Sequence, residues 1–282
     1  MVKFFLIISL TFSFLCADAQ VNQELEQKLN EKIKNLVDAK IYAKDKAYID
    51  TVISPKSNYY RVDGTIDTIK VIKTLKDNGI LKLFFKSPRE ITISFKTKTN
   101  PNFFVKVISD SLVNIGYYKY VIEEANYDGV DFLYKIGLLS EYVTDPMVLN
   151  KELQKSGSEI VDVIRESDAQ WVYVVDMKNA ELDVPTLQDG IEHSLKRSLY
   201  AYWLNVSNIE ELQIYSSNLN NWFPYVAYYD KQLNLLKVEK VDSKKTNLTI
   251  QIDQKSHYIK ISDLYNMKNI KDELILKPMG KK

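Results

Sequence analysis

Residues 100–118 read NPNFFVKVISDSLVNIGYY, and residues 145–159 read DPMVLNKELQKSGSE. A related stretch, residues 67–79, reads DTIKVIKTLKDNG. Each stretch opens with Asp or Asn, which can accept hydrogen bonds from the free N–H groups at a helix start, and carries a Gly suited to the left-handed residue after a helix. In two of them Pro takes the first helical position, where its missing N–H costs nothing. The three stretches therefore predict three short helices with the same start and stop signals.

Each predicted helix is followed by residues that alternate between apolar and polar side chains, which is the period of a β-strand. Asp128-Gly129 between the second pair of segments is a strong signal for a tight hairpin turn. The predicted strand pairs are residues 81–85 and 91–96, residues 117–127 and 130–142, and residues 160–165 and 171–175. Because a short helix and a hairpin each bury one face, each helix should lie across its strands. We predict three tandem αββ modules over residues 55–180.

Residues 181–282 show a different pattern. Four apolar residues recur at a spacing of four and predict a helix over residues 186–204: Leu187, Ile191, Leu195 and Leu199. Short strand-like segments separated by polar turns then follow, namely Glu211–Tyr215, Tyr225–Tyr229, Asn234–Val241, Asn247–Asp253, Tyr258–Ser262 and Glu273–Lys277. This spacing is typical of a small antiparallel β-sandwich. The predicted fold class is therefore α+β.

Residues 20–54 predict one long N-terminal helix with a narrow apolar stripe. The stripe consists of Leu25, Leu29, Ile33, Leu36 and Val37. It fits a helix docked on the body of the protein, or a short coiled coil that joins copies of the chain into a homo-oligomer. Pro55 ends the helix, because its ring cannot donate a hydrogen bond.

The first 19 residues have the pattern of a secretory signal peptide. Lys3 provides a positive charge, residues 4–15 form an apolar run that is too short to span a membrane, and Ala17-Asp18-Ala19 supplies the small residues of a cleavage site. We therefore expect cleavage before Gln20. Cys16 raises the alternative of a lipid anchor. The residue before it is leucine, which argues against an anchor, because lipoprotein signals have a small residue at that position.

The single Cys of the chain lies inside this predicted signal peptide, so the mature protein would contain none. Secreted eukaryotic proteins of this size usually carry disulfides, whereas bacterial periplasmic proteins often do not. The composition thus favours the periplasm of a Gram-negative bacterium. A net charge of +1 gives no basic surface for nucleic acid. No later segment is long and apolar enough for a transmembrane helix.

The sequence contains no recognisable catalytic or metal-binding motif. His193 and His257 are far apart and have no cysteine partners, so no zinc spacing is present. Residues 126–131, NYDGVD, cluster oxygen ligands but fit a hairpin turn better than a calcium loop. We expect no cofactor, no metal and no enzymatic activity. A hydrolase whose residues meet only in the fold stays a third hypothesis.

Aromatic residues are the one enrichment that bears on binding. Residues 221–229 read NWFPYVAYY, and another aromatic cluster lies near residue 200. The candidate binding residues are Trp222, Tyr225, Tyr228, Tyr229 and Trp203. Such a group fits ordinary packing in a sandwich, an interface with a protein partner, or a platform for a sugar ring of peptidoglycan or another glycan.

The signal peptide, the Asn/Asp-Pro helix starts, the GYY at residues 116–118 and the aromatic C-terminal region resemble periplasmic proteins of polar-flagellated epsilonproteobacteria. The tandem αββ modules look like ring-building, BON-type and POTRA-type domains. The resemblance implies a non-enzymatic periplasmic scaffold or adaptor of an envelope machine, such as the flagellar motor, a secretion system or a pilus apparatus. The alternative is a peptidoglycan-binding or glycan-binding periplasmic protein.

Overall fold

The computed structural model describes residues 23–280 and confirms the predicted α+β class. Its helices are α1 (residues 23–36), α2 (Ala39–Val52), α3 (Thr68–Asp77), α4 (Pro101–Asn114) and α5 (Pro146–Leu153). Its strands are β1 (Phe84–Thr97), β2 (Val121–Tyr127), β3 (Phe132–Tyr142), β4 (Glu159–Arg165), β5 (Gln170–Asp176), β6 (His193–Leu195), β7 (Tyr202–Asn205), β8 (Ile209–Ser216), β9 (Pro224–Tyr229), β10 (Leu235–Lys240), β11 (Asn247–Gln251), β12 (Tyr258–Asp263) and β13 (Leu274–Gly280).

The chain divides into two compact units. Unit 1 comprises the described residues up to Thr99 together with Asp110–Gln154 and Ser158–Lys178. Unit 2 comprises Asn100–Ser109, Lys155–Gly157 and the described residues from Asn179 onward. The predicted signal peptide lies outside the described residues.

The N-terminal segment is two helices, where the sequence predicts one. Helix α1 stops at residue 36, and Asp38 takes an extended conformation at the start of α2. Its carboxylate accepts hydrogen bonds from the backbone N–H groups of Lys40 (2.9 Å) and Ile41 (3.3 Å). Because Asp bonds so readily to the free N–H groups of a helix start, it favours a new helix over the continuation of the old one.

The apolar stripe of α1 is buried inside unit 1. Leu29, Ile33 and Leu36 are fully buried. Lys32 Nζ donates to the carbonyl oxygen of Val163 at 2.9 Å, and Arg165 Nη1 donates to the carbonyl oxygen of Leu36 at 3.0 Å. The helix is thus docked on strand β4, and its stripe is not available to pair copies of the chain as a coiled coil.

Unit 1 contains a five-stranded sheet in the order β2-β3-β1-β5-β4, in which β1 and β5 are parallel and the other neighbours are antiparallel. The second and third predicted modules each contain a helix and two strands, although residues 101–109 of α4 belong to unit 2. The first module differs, because β1 is one long strand where the sequence predicts two. Pairing with β3 shifts between Phe84 and Arg89, and Pro88 lies in this irregular section. A proline is tolerated there because no ladder hydrogen bond needs its N–H.

The predicted start and stop signals of the repeated helices are confirmed. The side chains of Asp67, Asn100 and Asp145 each accept a backbone hydrogen bond from the first helical turn, at 3.0, 2.9 and 3.0 Å. Gly79, Gly116 and Gly157 all have positive φ, at 71°, 101° and 71°. As expected, these Asp and Asn residues cap the helix starts, and these glycines end the helices.

Gly157 differs from the other two glycines in its surroundings. A Cβ atom at residue 157 would lie 2.6 Å from the backbone oxygen of Asn179. A Cβ atom at Gly79 or Gly116 would meet nothing within 4 Å. The chain therefore needs Gly157 for a close approach of backbone as well as for its positive φ.

Unit 2 is built around the predicted antiparallel sandwich. Its two sheets have the orders β10-β9-β12-β7 and β11-β8-β13-β6. Residues from both sheets form one buried core that includes Leu204, Val226, Tyr228 and Ile259 from the first sheet and Leu212, Ile214, Leu274 and Leu276 from the second. Each of the predicted strand segments after residue 210 corresponds to a strand.

The predicted helix over residues 186–204 is wrong. This segment is extended and contributes the short strands β6 and β7, which pair with β13 and β12. Leu187 is buried, but Ile191 and Leu199 are 50% and 61% exposed, so the spacing of four does not form one apolar face. Gly190 has a φ of 70°, which interrupts a helix, and the paired strands satisfy the backbone instead.

Candidate functional site

Two of the five predicted binding residues lie in the core of the sandwich. Trp222 is fully buried, and its indole Nε1 donates to the carbonyl oxygen of Ser262 at 3.0 Å. Tyr228 is also buried and donates to Glu239 at 3.0 Å. Burial raises the pKa of the Tyr228 phenol, and the nearby Glu239 carboxylate adds to this effect. These two aromatic rings pack the protein and offer no surface to a ligand.

The other three predicted residues are half-buried in the same unit. The rings of Trp203 and Tyr229 contact each other, with centroids 4.9 Å apart, and Tyr225 lies four residues before Tyr229 on the same strand. The ammonium groups of Lys106 and Lys260 lie 5.2 Å and 5.6 Å from the centroid of the Trp203 ring. The structure thus brings Trp203 and Tyr229 together, with cations beside the Trp203 ring. It does not form an exposed row of rings with Trp222 and Tyr225.

Unit 1 contains a cleft that the sequence does not reveal, with a volume of about 1000 Å³. Among its lining residues are large apolar side chains that are each between 51% and 75% exposed: Phe84, Tyr118, Leu139, Tyr142 and Val148. We call this feature the apolar cleft. Single exposed apolar residues are ordinary on a protein surface, but five in one concavity are not.

Local signals in the sequence position the walls of the apolar cleft. The turn after α4 closes with hydrogen bonds from Gly116 N–H to the Val113 oxygen (3.0 Å) and from Tyr117 N–H to the Leu112 oxygen (2.8 Å). Successive side chains of an extended chain point in opposite directions, so Tyr117 is half-buried while Tyr118 is exposed. The GYY sequence therefore supplies one wall of the cleft.

The polar groups of the apolar cleft are mainly cationic. Lys76 forms an ion pair with Asp145, which also caps α5, while Lys82 and Lys119 are exposed. Burial raises the pKa of the Tyr117 phenol above its ordinary value, and the group is neutral at neutral pH in either case. An apolar lining with a few cations suits the non-covalent binding of apolar groups, with a preference for a ligand that carries negative charge at its edge.

The remaining predicted polar residues lie at separate places. Asp128 Oδ1 accepts from the N–H groups of Val130 (2.9 Å) and Asp131 (2.8 Å), which confirms the hairpin turn at residues 126–131. His193 belongs to β6, whereas His257 precedes β12 in the other sheet of the sandwich. Burial lowers the pKa of His257.

Within residues 23–280, no group of three or more His, Cys, Asp or Glu side chains is arranged to hold a metal ion. None of the helices in this same range is long and apolar enough to cross a membrane.

Comparison with known proteins gives little further information. No family model matches the chain, and no curated protein matches it. The lectin domain of lectinolysin complexed with Lewis B antigen shares 13% identity at a TM-score of 0.24, over 32% of this chain and 72% of that one. The structure of the infectious bursal disease virus Gx strain shares 10% identity at a TM-score of 0.15, over 69% of this chain and 48% of that one. At such low TM-scores neither likeness supports an argument about fold or function.

Proposed function

We propose that this protein is a non-enzymatic adaptor in the periplasm of a bacterium, and that it holds a partner protein in its apolar cleft. The partner would belong to an envelope machine such as the flagellar motor, a secretion system or a pilus apparatus. The observation that supports the proposal is the cluster of exposed apolar side chains in one cleft. Contiguous exposed apolar surface is a common mark of a protein interaction site.

The expected stabilisation comes from removing these side chains from water. Fully burying one large apolar side chain contributes about 2 kcal/mol, so covering one that is half exposed contributes about 1 kcal/mol. Several such residues in one concavity can form the central anchor of an interface, while the lysines at the edge contribute orientation and association rate.

The glycan-binding alternative has less support. A sugar platform needs aromatic rings with free faces. Trp222 and Tyr228 are buried in the sandwich core, and Trp203 has lysine ammonium groups beside its ring. For this reason we place the binding site in unit 1 and not at the aromatic residues of unit 2.

Site-specific photo-crosslinking in cells tests the adaptor proposal. A photoreactive amino acid replaces Tyr118 or Leu139 in the full chain. In the control the same amino acid replaces Tyr200, which is 82% exposed and lies in unit 2. We expect both cleft positions to capture the same envelope protein and the control position not to capture it. Capture of that protein from Tyr200 as well, or no captured protein from the cleft, would contradict the proposal.

A matched pair of substitutions sharpens this test. Leu139 is 70% exposed in the apolar cleft, and Leu219 is 69% exposed in unit 2. We expect Leu139→Glu to abolish crosslinking from Tyr118, because the partner would have to desolvate a carboxylate. Leu219→Glu should leave the crosslink unchanged. Equal effects of the two substitutions would argue against binding in the cleft.

A further inference from the structure

The two edge strands of the five-stranded sheet, β4 and β2, differ in how far their backbone groups are already hydrogen-bonded within the unit. At the edge strand β4, side chains of the same unit bond to the backbone. The N–H of Ile160 donates to Asn150 Oδ1 (2.7 Å), and its carbonyl oxygen accepts from Arg61 Nη2 (3.2 Å). The carbonyl oxygen of Val163 accepts from Lys32 Nζ (2.9 Å). Strand β4 therefore has little capacity left to pair with another strand.

The opposite edge strand, β2, is open. Every residue from Val121 to Tyr127 is exposed, and β2 has β3 as its one neighbour in the sheet. Within residues 23–280, the structure describes no hydrogen bond from any element other than β3 to the β2 backbone. An uncovered strand of this length is a template for another strand, and proteins usually protect such an edge.

The β2 edge carries both apolar and acidic side chains. Val121, Ile122 and Tyr127 are each more than half exposed. The exposed residues 121–131 include four carboxylates and neither Lys nor Arg; the carboxylates belong to Glu123, Glu124, Asp128 and Asp131. Glu123 pairs with Lys135 at 3.6 Å, and Asp128 bonds to its own turn. Glu124 lies opposite Lys135 in the pairing of β2 with β3, but the ion pair of Lys135 is made with Glu123, and no ion pair described within residues 23–280 involves Glu124.

We propose that the β2 edge binds an extended segment of another protein by strand addition, and that this segment alternates apolar and basic residues. Main-chain hydrogen bonds would supply affinity, and lysine or arginine opposite the carboxylates would supply specificity. A second copy of this chain fits less well. Centred antiparallel pairing of two β2 strands would place Glu124 directly opposite Glu124 of the other copy, and like charges in that position are destabilising. This surface shares no residue with the apolar cleft and does not depend on its function.

Fluorescence anisotropy with a labelled octapeptide of alternating lysine and valine tests this proposal on the full mature chain. We expect saturable binding that weakens as salt increases, and no binding of the corresponding glutamate–valine octapeptide. Equal binding of a neutral threonine–valine octapeptide would overturn the proposed basic chemistry of the partner.

Backbone methylation of the probe separates strand addition from simple charge attraction. One probe carries N-methyl groups on its lysines and a second carries them on its valines, so each loses the N–H donors of one strand edge while keeping its side chains and charge. We expect one of the two methylated peptides to lose binding and the other to keep it, since only one edge of the added strand pairs with β2. Equal affinity of both methylated probes would overturn strand addition.

Substitutions in the protein locate the site. We expect Glu124→Lys to weaken binding of the lysine–valine probe about tenfold, which corresponds to about 1.4 kcal/mol. Glu141→Lys is the matched control, because Glu141 is an exposed residue of β3 outside the segment paired with β2. Glu124→Gln, which introduces no new charge opposite Lys135, should weaken binding in the same direction by a smaller factor. Equal effects of Glu124→Lys and Glu141→Lys would overturn the assignment, and so would a concentration-dependent dimer of the unmodified chain that the probe dissociates.

Discussion

At the scale of single residues, the buried Tyr173 links the stability of the folded protein to the protonation of its phenol. Tyr173 is fully buried and donates its hydroxyl hydrogen to the carbonyl oxygen of Thr144 at 2.5 Å. Burial holds the pKa of this phenol well above its usual range, and the neighbouring Tyr117 and Asp145 contribute to the same shift. A phenolate at this position would lie in an apolar core without water, so the folded protein requires the neutral form.

This environment predicts a loss of stability in alkali. In the unfolded chain Tyr173 ionises with a pKa of about 10, whereas in the folded protein it stays protonated. The unfolded state then binds fewer protons, so the free energy of unfolding decreases as pH rises above about 10 and the contribution is complete below it. Urea unfolding at increasing pH measures this slope, and Tyr173→Phe should reduce it by up to about 1.4 kcal/mol per pH unit. An unchanged slope in Tyr173→Phe, or an equal change in the exposed Tyr200→Phe, would contradict the prediction.

The candidate site shows what residue types alone can predict. The stretch NWFPYVAYY contains a high density of aromatic residues. A strand places its odd and even residues on opposite faces, and both faces of β9 carry tyrosine. Composition therefore does not tell that Tyr228 faces the core. The apolar cleft was not predicted because Phe84, Tyr118 and Leu139 are distant in sequence. The pairing of β1 with β3 brings the segments of Phe84 and Leu139 together, and Tyr118 comes from the separate segment between α4 and β2.

At the scale of secondary-structure elements, capping residues predict boundaries better than apolar periodicity does. The Asp and Asn residues before α3, α4 and α5 were found from the sequence because their hydrogen bonds are local. The segment 186–204 has helical spacing of leucines, but pairing with β12 and β13 decides its conformation. Such pairing depends on residues more than fifty positions away, which a local pattern cannot register.

The break between α1 and α2 can be tested through its cap. We expect Asp38→Ala to lower the free energy of unfolding by about 1 kcal/mol, because the N–H groups of Lys40 and Ile41 lose their acceptor. Asp38→Asn is the control, since its amide oxygen can accept the same hydrogen bonds and should preserve most of the stability. Equilibrium unfolding in urea compares the three proteins, and an equal loss in both variants would assign the effect to charge and not to capping.

At the scale of the whole molecule, the two units contribute differently to the proposed function. Unit 1 contains the apolar cleft and the open β2 edge, whereas unit 2 buries Trp222 and Tyr228 and leaves the other three predicted aromatic residues half-buried. The fold class and the C-terminal sandwich were predictable because strand alternation and polar turns recur over many residues. The binding surfaces depend on which edges and faces stay uncovered, and this property belongs to the assembled unit.

The predicted export of the chain has a direct test. We expect the protein from a periplasmic extract to begin at Gln20, which intact-mass measurement detects as the loss of residues 1–19. Cys16→Ala should give the same mature mass, because a cleaved signal peptide does not use the thiol. A mature protein that begins at Cys16 and carries added lipid mass would contradict this prediction and support the lipid-anchor alternative.

The glycines that end the three repeated helices also differ in how freely they can change during evolution. The positive φ strains any side chain at all three positions, but Gly79 and Gly116 have open space around them. Of these two, Gly79 has the φ closer to the left-handed region that Asn adopts, 71° against 101° for Gly116, so Gly79 can change to Asn at the smaller cost. Gly157 has no such freedom, because any side chain there would meet the backbone oxygen of Asn179, which cannot rotate away. The three glycines look equivalent in the sequence but are therefore under unequal selection. In a diverging lineage, we expect Gly157 to be substituted least often.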